Sequence, residues 1–386
     1  MIKVAHVCTS SYSHKILVDK LALLNQKGYE IHLVSSEEGY NEALMQNYDF
    51  KLHFIPMNRQ IHVFDDMVSI FRMTQLFRKE KYQIVHTHTA KAGIIGRMAG
   101  RLAGVPVVVH TSHGLPFYEG QGRLKYYTYR FLETIGAWFC DAIASQNRED
   151  MKKIEEYAPR QRVYYEGNGV DLSKLDDRNN HISCEQLTAL KNRLGIPNDQ
   201  KVILVGARFE PVKNHFFLLK GIKRVKEQHR SDFVCLLAGE GPLREQIQQQ
   251  IKDDHLSDVV KIIGFQTDIY PYIKMADLIV LTSEKEGVPR IIMEAMAFSK
   301  PVVATNVLGT RELVVDGETG VLVEYEDVEQ LASSIHMMLS DERKRKEFGN
   351  NGRRRIEESF TEEIVVERIV SMYQQLWQVK KTEASI

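Results

Sequence analysis

Short apolar runs alternate with amphipathic stretches along nearly the whole chain, and this alternation limits the fold more than any other feature. Strand candidates lie at 3–8, 30–35, 51–55, 84–86, 107–110, 142–145 and 163–165, then at 202–206, 233–238, 259–263, 278–281, 302–305 and 320–323. Helical patterns such as 14–27, 66–80 and 90–103 separate them. Strands that take turns with helices build parallel sheets through crossover connections. Runs such as Val107-Val108-Val109 show no polar alternation, as expected of strands covered on both faces. At 386 residues the chain exceeds what one core organises well. The expectation is an α/β chain of two Rossmann-like parallel-sheet domains, 1–180 and 186–361, followed by a last helical stretch within 362–386. The polar, turn-rich segment 171–185 has no apolar period and reads as the linker.

Charge narrows the partners. Lys+Arg and Asp+Glu both number 51, which argues against a protein built to hold nucleic acid. The first residues read as a strand rather than a signal peptide, and no run approaches the roughly 18 apolar residues of a spanning helix. The expected location is therefore the cytoplasm. Cys8, Cys140, Cys184 and Cys235 lack metal-type spacing, and Cys8 and Cys235 sit in strand-like runs as reduced core thiols.

Two places carry chemistry. After the run 278–281, a polar loop turns at Gly287 and Pro289 into a helix that is apolar on nearly every side. Glu294 is the one charged residue between Ile291 and Phe298, and a buried carboxylate is unfavourable without a partner. Glu286 stands eight residues earlier, in the loop. The second place is Arg208 and Lys213, between a strand end and a helix start, where ligands of parallel sheets bind. A guanidinium fork and an ammonium next to a helix N-terminus suit a diphosphate; the competing reading is two solvated surface cations.

The Glu286…Glu294 pair, the Gly-x-Arg…Lys-Asn pattern at 206–214 that precedes it, and His113-Gly114 at a strand end resemble family 4 of the retaining glycosyltransferases. That resemblance covers nearly the full chain. It implies the GT-B fold, with two Rossmann-like domains facing a central cleft and a C-terminal helix crossing back to the first. It also implies a role for each matching residue. Arg208 and Lys213 would hold the donor pyrophosphate, Glu286 the hydroxyls of the donor sugar, and Glu294 the ribose. The backbone N–H groups of Gly287 and Val288 would face sugar and phosphate. Gly264 would lie near the base, and Gly309 and Thr310 would flank the phosphates. His113 would sit by the reacting carbon as a catalytic group beside Glu286. His88, Ser10 and Ser11 would lie on the acceptor side. Ser10 and Ser11 depart from the pattern, because many family members carry paired glycines there.

The resemblance further implies a nucleotide-diphosphate sugar as donor, UDP-linked, and an N-acetylhexosamine as one candidate sugar. The acceptor would be a polyprenyl-diphosphate-linked or oligosaccharide hydroxyl in bacterial surface polysaccharide synthesis. No Asp-x-Asp occurs, so Arg208 and Lys213 would replace a metal, and no cofactor is expected. His6, His86, His88, His110 and His113 fit no common zinc spacing. The stretch 121–138 mixes Arg123, Lys125 and Arg130 with Tyr126, Tyr127, Tyr129, Phe131 and Trp138. With Arg72, Arg78, Lys79, Lys81, Arg97 and Arg101, it reads either as a face for an anionic membrane or as solvated helix surface. A nicotinamide oxidoreductase would need Gly-x-Gly-x-x-Gly after the first strand, and Thr9-Ser10-Ser11 lacks it. A non-catalytic nucleotide-sugar-binding protein and a GT-B epimerase or phosphorylase remain as alternatives.

Overall fold

The computed structural model describes residues 1–58, 62–118, 121–228 and 233–383. It forms two compact units, one of Met1–Asn168 together with the C-terminal stretch from Glu362, the other of Gly169–Thr361. The N-terminal unit holds β1 (Ile2–Ser10), β2 (Tyr29–Ser36), β3 (Lys51–Phe54), β4 (Ile84–His88), β5 (Val107–Ser112), β6 (Ala142–Ser145) and β7 (Arg162–Tyr165). The C-terminal unit holds β8 (Lys201–Gly206), β9 (Phe233–Ala238), β10 (Val260–Gly264), β11 (Leu278–Leu281), β12 (Val302–Thr305) and β13 (Val321–Val323). Every described pairing is parallel, in the orders β3-β2-β1-β4-β5-β6-β7 and β10-β9-β8-β11-β12-β13.

Both orders reverse direction once. In the first sheet the chain winds one way from β1 to β3 and the other way from β4 to β7; in the second the reversal falls between β8 and β11. Strand ends at such a reversal diverge and leave room for a ligand. The period-2 geometry of β1 sends Ala5 and Val7 to one face and Val4 and Cys8 to the other. Ala5 and Val7 pack with Met73 and Phe77 of the helix Val63–Glu80 and with Ala92, Ile95 and Ala99 of Ala90–Ala103. Val4 and Cys8 pack with Leu21 and Leu24 of Val18–Gln26 and with Val366, Ile369 and Tyr373 of Glu362–Glu383. The last helix thus belongs to the core of the N-terminal unit.

The expected linker at 171–185 is a correction. It folds into the helices Leu172–His181 and Cys184–Leu194. Its turn-like polar residues are caps: Asp171 accepts from the Lys174 N–H, and Ser183 and Gln186 form a reciprocal capping box. Leu175, Ile182 and Leu190 join the core of the C-terminal unit. Cys8, Cys140 and Cys235 are free and buried, and Cys184 is free and exposed. Among the described residues no helix is long and apolar enough to cross a membrane.

Candidate active site

The reversal between β8 and β11 gathers the charged residues of the C-terminal unit. β8 runs into Ala207 and Arg208, then a single 3-10 turn, Pro211–Lys213, and the helix His215–Gln228. Asn214 takes a left-handed conformation (φ 41°), and its side-chain oxygen caps the helix through the Phe217 N–H. Its backbone carbonyl and that of Lys213 accept from the Thr282 hydroxyl, just past β11, so the two loops are tied together. Lys213 Nζ reaches Glu286 Oε1 at 2.6 Å, and the Ser283 hydroxyl donates to the same oxygen at 2.6 Å. Both charged side chains are largely covered. Arg208 differs: its side chain is 69% exposed and pairs at 2.6 Å with Glu210.

Glu294 is buried in the helix Arg290–Ala297. Its partners are Arg290, one turn earlier, which donates from Nε at 2.9 Å, and the Tyr270 hydroxyl at 3.4 Å. Burial raises this carboxyl above its usual range, and Arg290 opposes the shift. Val288 turns its side chain into the core, whereas Gly287 is half-buried. Among the described residues neither has an acceptor for its backbone N–H, and no side chain caps the helix that follows. Gly309 explains the loop's position. A methyl group there would fall within the Gly287 carbonyl oxygen, so only glycine lets the two backbones touch. Thr310 follows Gly309 in the same short helix. It is fully buried, and its hydroxyl meets the carbonyls of Thr305 and Val307 and the N–H of Val307. These bonds shape the turn beside Gly309. Gly264 ends β10 at φ 72°, and its carbonyl accepts from the Gly239 N–H.

At the reversal of the N-terminal unit, β1 and β4 place His6 opposite His86. The rings of His86 and His88 stack with centroids 4.4 Å apart, and His88 lies between His6 and His113, 3.0 Å from each. His86 bonds the Tyr373 hydroxyl at 2.6 Å and the Thr111 hydroxyl, and Thr111 donates to Glu166. Lys20 completes a fully buried ion pair with Glu166 at 2.8 Å. Burial holds His113 down to about 4, with Lys20 adding to the shift, and His6, His86 and His88 lie well below the usual value for the same first reason. These rings are neutral at pH 7. Burial pulls Glu166 upward, but Lys20 and Thr111 leave it below its ordinary value. Ser10 ends β1 and Ser11 opens the 3-10 turn that follows. Both are buried, and the Ser11 hydroxyl is tied to Ser35 and to the Ser36 carbonyl, so it supports the end of β2.

His6, His86 and His88 each bring one nitrogen within 4.8 Å of the others, which raises the question of a metal. Both nitrogens of His86 and of His88 are already hydrogen-bonded, and the Lys20 ammonium stands close by, so this donor set does not favour a cation. His32, His53 and Glu80 form a second such group, yet the His32 nitrogens bond His53, Tyr82 and Glu30. Sequence reasoning did not find Lys20, Glu166, Tyr373, Ser283, Tyr270 or Arg290. Only Arg290 carried a local signal, its i,i+4 spacing to Glu294.

Known proteins place this arrangement. Residues 188–355 match the family Glycosyl transferases group 1, and residues 3–147 match Glycosyl transferase 4-like. The capsular polysaccharide biosynthesis glycosyltransferase CapM of Staphylococcus aureus is 30% identical over 383 residues, covering 96% of each chain. An Escherichia coli enzyme named UDP-Gal:alpha-D-GlcNAc-diphosphoundecaprenol alpha-1,3-galactosyltransferase is 29% identical over 381 residues, again 96% of each chain. Anabaena HepE, solved in complex with UDP and glucose, superposes with a TM-score of 0.80 over 97% of this chain and 100% of its own, at 21% identity. A glycosyltransferase from Rickettsia africae gives 0.81 over 97% and 98% at 19% identity. The fold is therefore GT-B, and the chain belongs to the group 1 glycosyl transferases.

Proposed function

We propose that this chain moves a sugar from a UDP-linked donor to a hydroxyl of a polyprenyl-diphosphate-linked acceptor in bacterial surface polysaccharide synthesis, with retention at the anomeric carbon. The observation that carries the reading is the Lys213–Glu286 pair at the β8/β11 reversal, beside two backbone N–H groups that have no acceptor among the described residues. Lys213 and those N–H groups offer the donors a diphosphate needs, and exposed Arg208 can exchange Glu210 for it. Glu286 takes sugar hydroxyls once a ligand relieves its pairing with Lys213, and Glu294 takes the ribose. His113 is the group of the N-terminal unit assigned to the chemistry, and His88 lies on the acceptor side. We assign no metal, because cations and N–H dipoles stabilise the leaving diphosphate. That diphosphate takes the acceptor proton, so no carboxylate nucleophile is required, unlike in retaining glycosidases.

The E. coli and S. aureus relatives support the lipid-linked acceptor and the polysaccharide context. A Campylobacter jejuni relative, 29% identical over 211 residues, is likewise named for a diphospho-undecaprenol acceptor. Such an acceptor implies peripheral work on the inner face of the cell membrane. The test is product analysis with a panel of nucleotide sugars, with and without EDTA. Transfer with retention that survives EDTA is expected. Turnover that is lost and returns with magnesium or manganese would remove the metal-free assignment, and epimerised or phosphorolysed donor would replace the transferase reading.

A further inference from the structure

Three imidazoles of the N-terminal unit stand in single file. His6 Nδ1 lies 3.0 Å from His88 Nε2, and His88 Nδ1 lies 3.0 Å from His113 Nε2. A neutral imidazole has one N–H and one bare nitrogen, so one proton choice fixes the whole file. Either every ring donates from Nδ1, outward toward His113, or every ring donates from Nε2, inward toward His6.

The two orders differ at their ends. At the inner end His6 Nε2 is buried and has no partner. The inward order would leave an N–H there with nothing to accept it. The outward order leaves a bare nitrogen, and orphaned buried N–H groups are the rarer of the two. At the outer end His113 Nε2 faces His88 Nδ1, which leaves His113 Nδ1 as the terminus of the file. In the outward order that terminus carries the proton. The inner end selects the outward order, since among the described residues His6 Nε2 has no partner.

The surroundings hold the file without competing for it. Glu166 accepts from Lys20 and Thr111, so the Thr111 oxygen is left to accept from His86 Nε2, and the Tyr373 hydroxyl donates to His86 Nδ1. His86 is thereby fixed in the opposite tautomer and donates nothing to the file. The other titratable neighbours are His14, buried beyond β1, and His110, which bonds Thr87.

We propose that His88 and His6 are positioning residues that lock His113 as the Nδ1–H tautomer, so that it meets the transferring sugar as a hydrogen-bond donor and not as a base. This rests on the reading of His113 as the group facing the sugar. A locked donor also agrees with a mechanism in which the diphosphate, not the protein, takes the acceptor proton.

Nitrogen-15 NMR of the full chain, labelled at histidine and held at pH 7, tests the lock directly. Protons on Nδ1 of His6, His88 and His113, and on Nε2 of His86, are expected. In His88→Leu, His113 should lose its fixed tautomer; in His88→Asn, whose amide N–H stands where Nδ1–H stood, it should regain it. With the best donor of the nucleotide-sugar panel, His88→Leu should lower kcat by about 10- to 100-fold with KM nearly unchanged, and His88→Asn should recover most of it. A wild-type His113 protonated on Nε2, or a tautomer that does not move in His88→Leu, overturns the lock. A confirmed lock with full kcat in His113→Ala would overturn the sugar-facing reading instead.

Discussion

Lys213 and Glu286 neutralise each other in a nearly dry site, which makes each the measure of what the other does. Removing the carboxylate leaves a covered ammonium that a diphosphate would satisfy. Glu286→Ala should therefore keep or raise UDP affinity while transfer is lost. Lys213→Ala should weaken UDP by roughly 1.5–3 kcal/mol, the scale of a charge-assisted bond. Calorimetry on both variants checks the pair, and equal weakening by both would mean that Glu286 only holds Lys213 in place. The residues near these loops were legible because strand-end loops state their chemistry locally. Lys20 and Glu166 were not, since the partners stand 146 residues apart and each looks like an ordinary surface charge. Glu294 stood between these cases: its burial was readable from its apolar neighbours, but its release through Arg290 and Tyr270 was not read.

At the scale of elements, the contact between Gly309 and the Gly287 carbonyl fixes the donor loop from below. Gly309→Ala must push the 286–288 loop aside. It should lower the melting temperature and abolish stabilisation by UDP in thermal shift, and retained UDP stabilisation would show that the loop tolerates displacement. Two helices of the N-terminal unit carry a different message. Val63–Glu80 leaves Val63, Phe64, Met67, Val68 and Phe71 exposed, and Arg123–Ala137 leaves Leu124, Tyr127 and Phe131 exposed. Both helices pack on the same face of their sheet. Arg97, counted in sequence among the cations of this surface, is corrected: it is fully buried and bonds Glu133 at 3.0 Å. Arg123 and Lys125 remain exposed beside Leu124. Cations near an anionic surface contribute about 1 kcal/mol each and are screened by salt, while inserted aromatic and aliphatic side chains are not. Flotation with anionic vesicles should show salt-sensitive binding weakened by charge reversal at Arg123 and Lys125 and by Phe64→Asp. Absence of bound protein at low salt would leave these faces merely solvated.

Across the whole molecule, the two sheets were legible because strands buried on both faces are locally apolar, as at Val107 to Val109 and Leu278 to Leu281. The order of the strands was not, because a reversal such as β1 beside β4 depends on crossovers and leaves no local mark. That order matters for pH, since it stacks His6, His86 and His88 of two adjacent strands on one buried face of the sheet. His6, His14, His86, His88, His110 and His113 all lie below the ordinary histidine value, each chiefly through burial, with His14 and His113 at about 4. Between those values and about 6.5 the unfolded chain binds more protons than the folded one. Their neutral burial therefore favours the fold above about pH 6.5, and the fold loses stability as pH falls below it, by up to about 1.4 kcal/mol per pH unit for each group. In the C-terminal unit His215 shifts the same way, to about 4. The chain's two tryptophans, Trp138 and Trp377, both lie in the N-terminal unit, so their fluorescence follows that unit alone. Melts followed by tryptophan fluorescence should fall steeply between pH 7 and pH 5, and His88→Asn should flatten the dependence by removing one titrating ring. A melting temperature that stays level over that range would mean that the histidine layer protonates without unfolding, and that its burial is not what keeps the rings neutral.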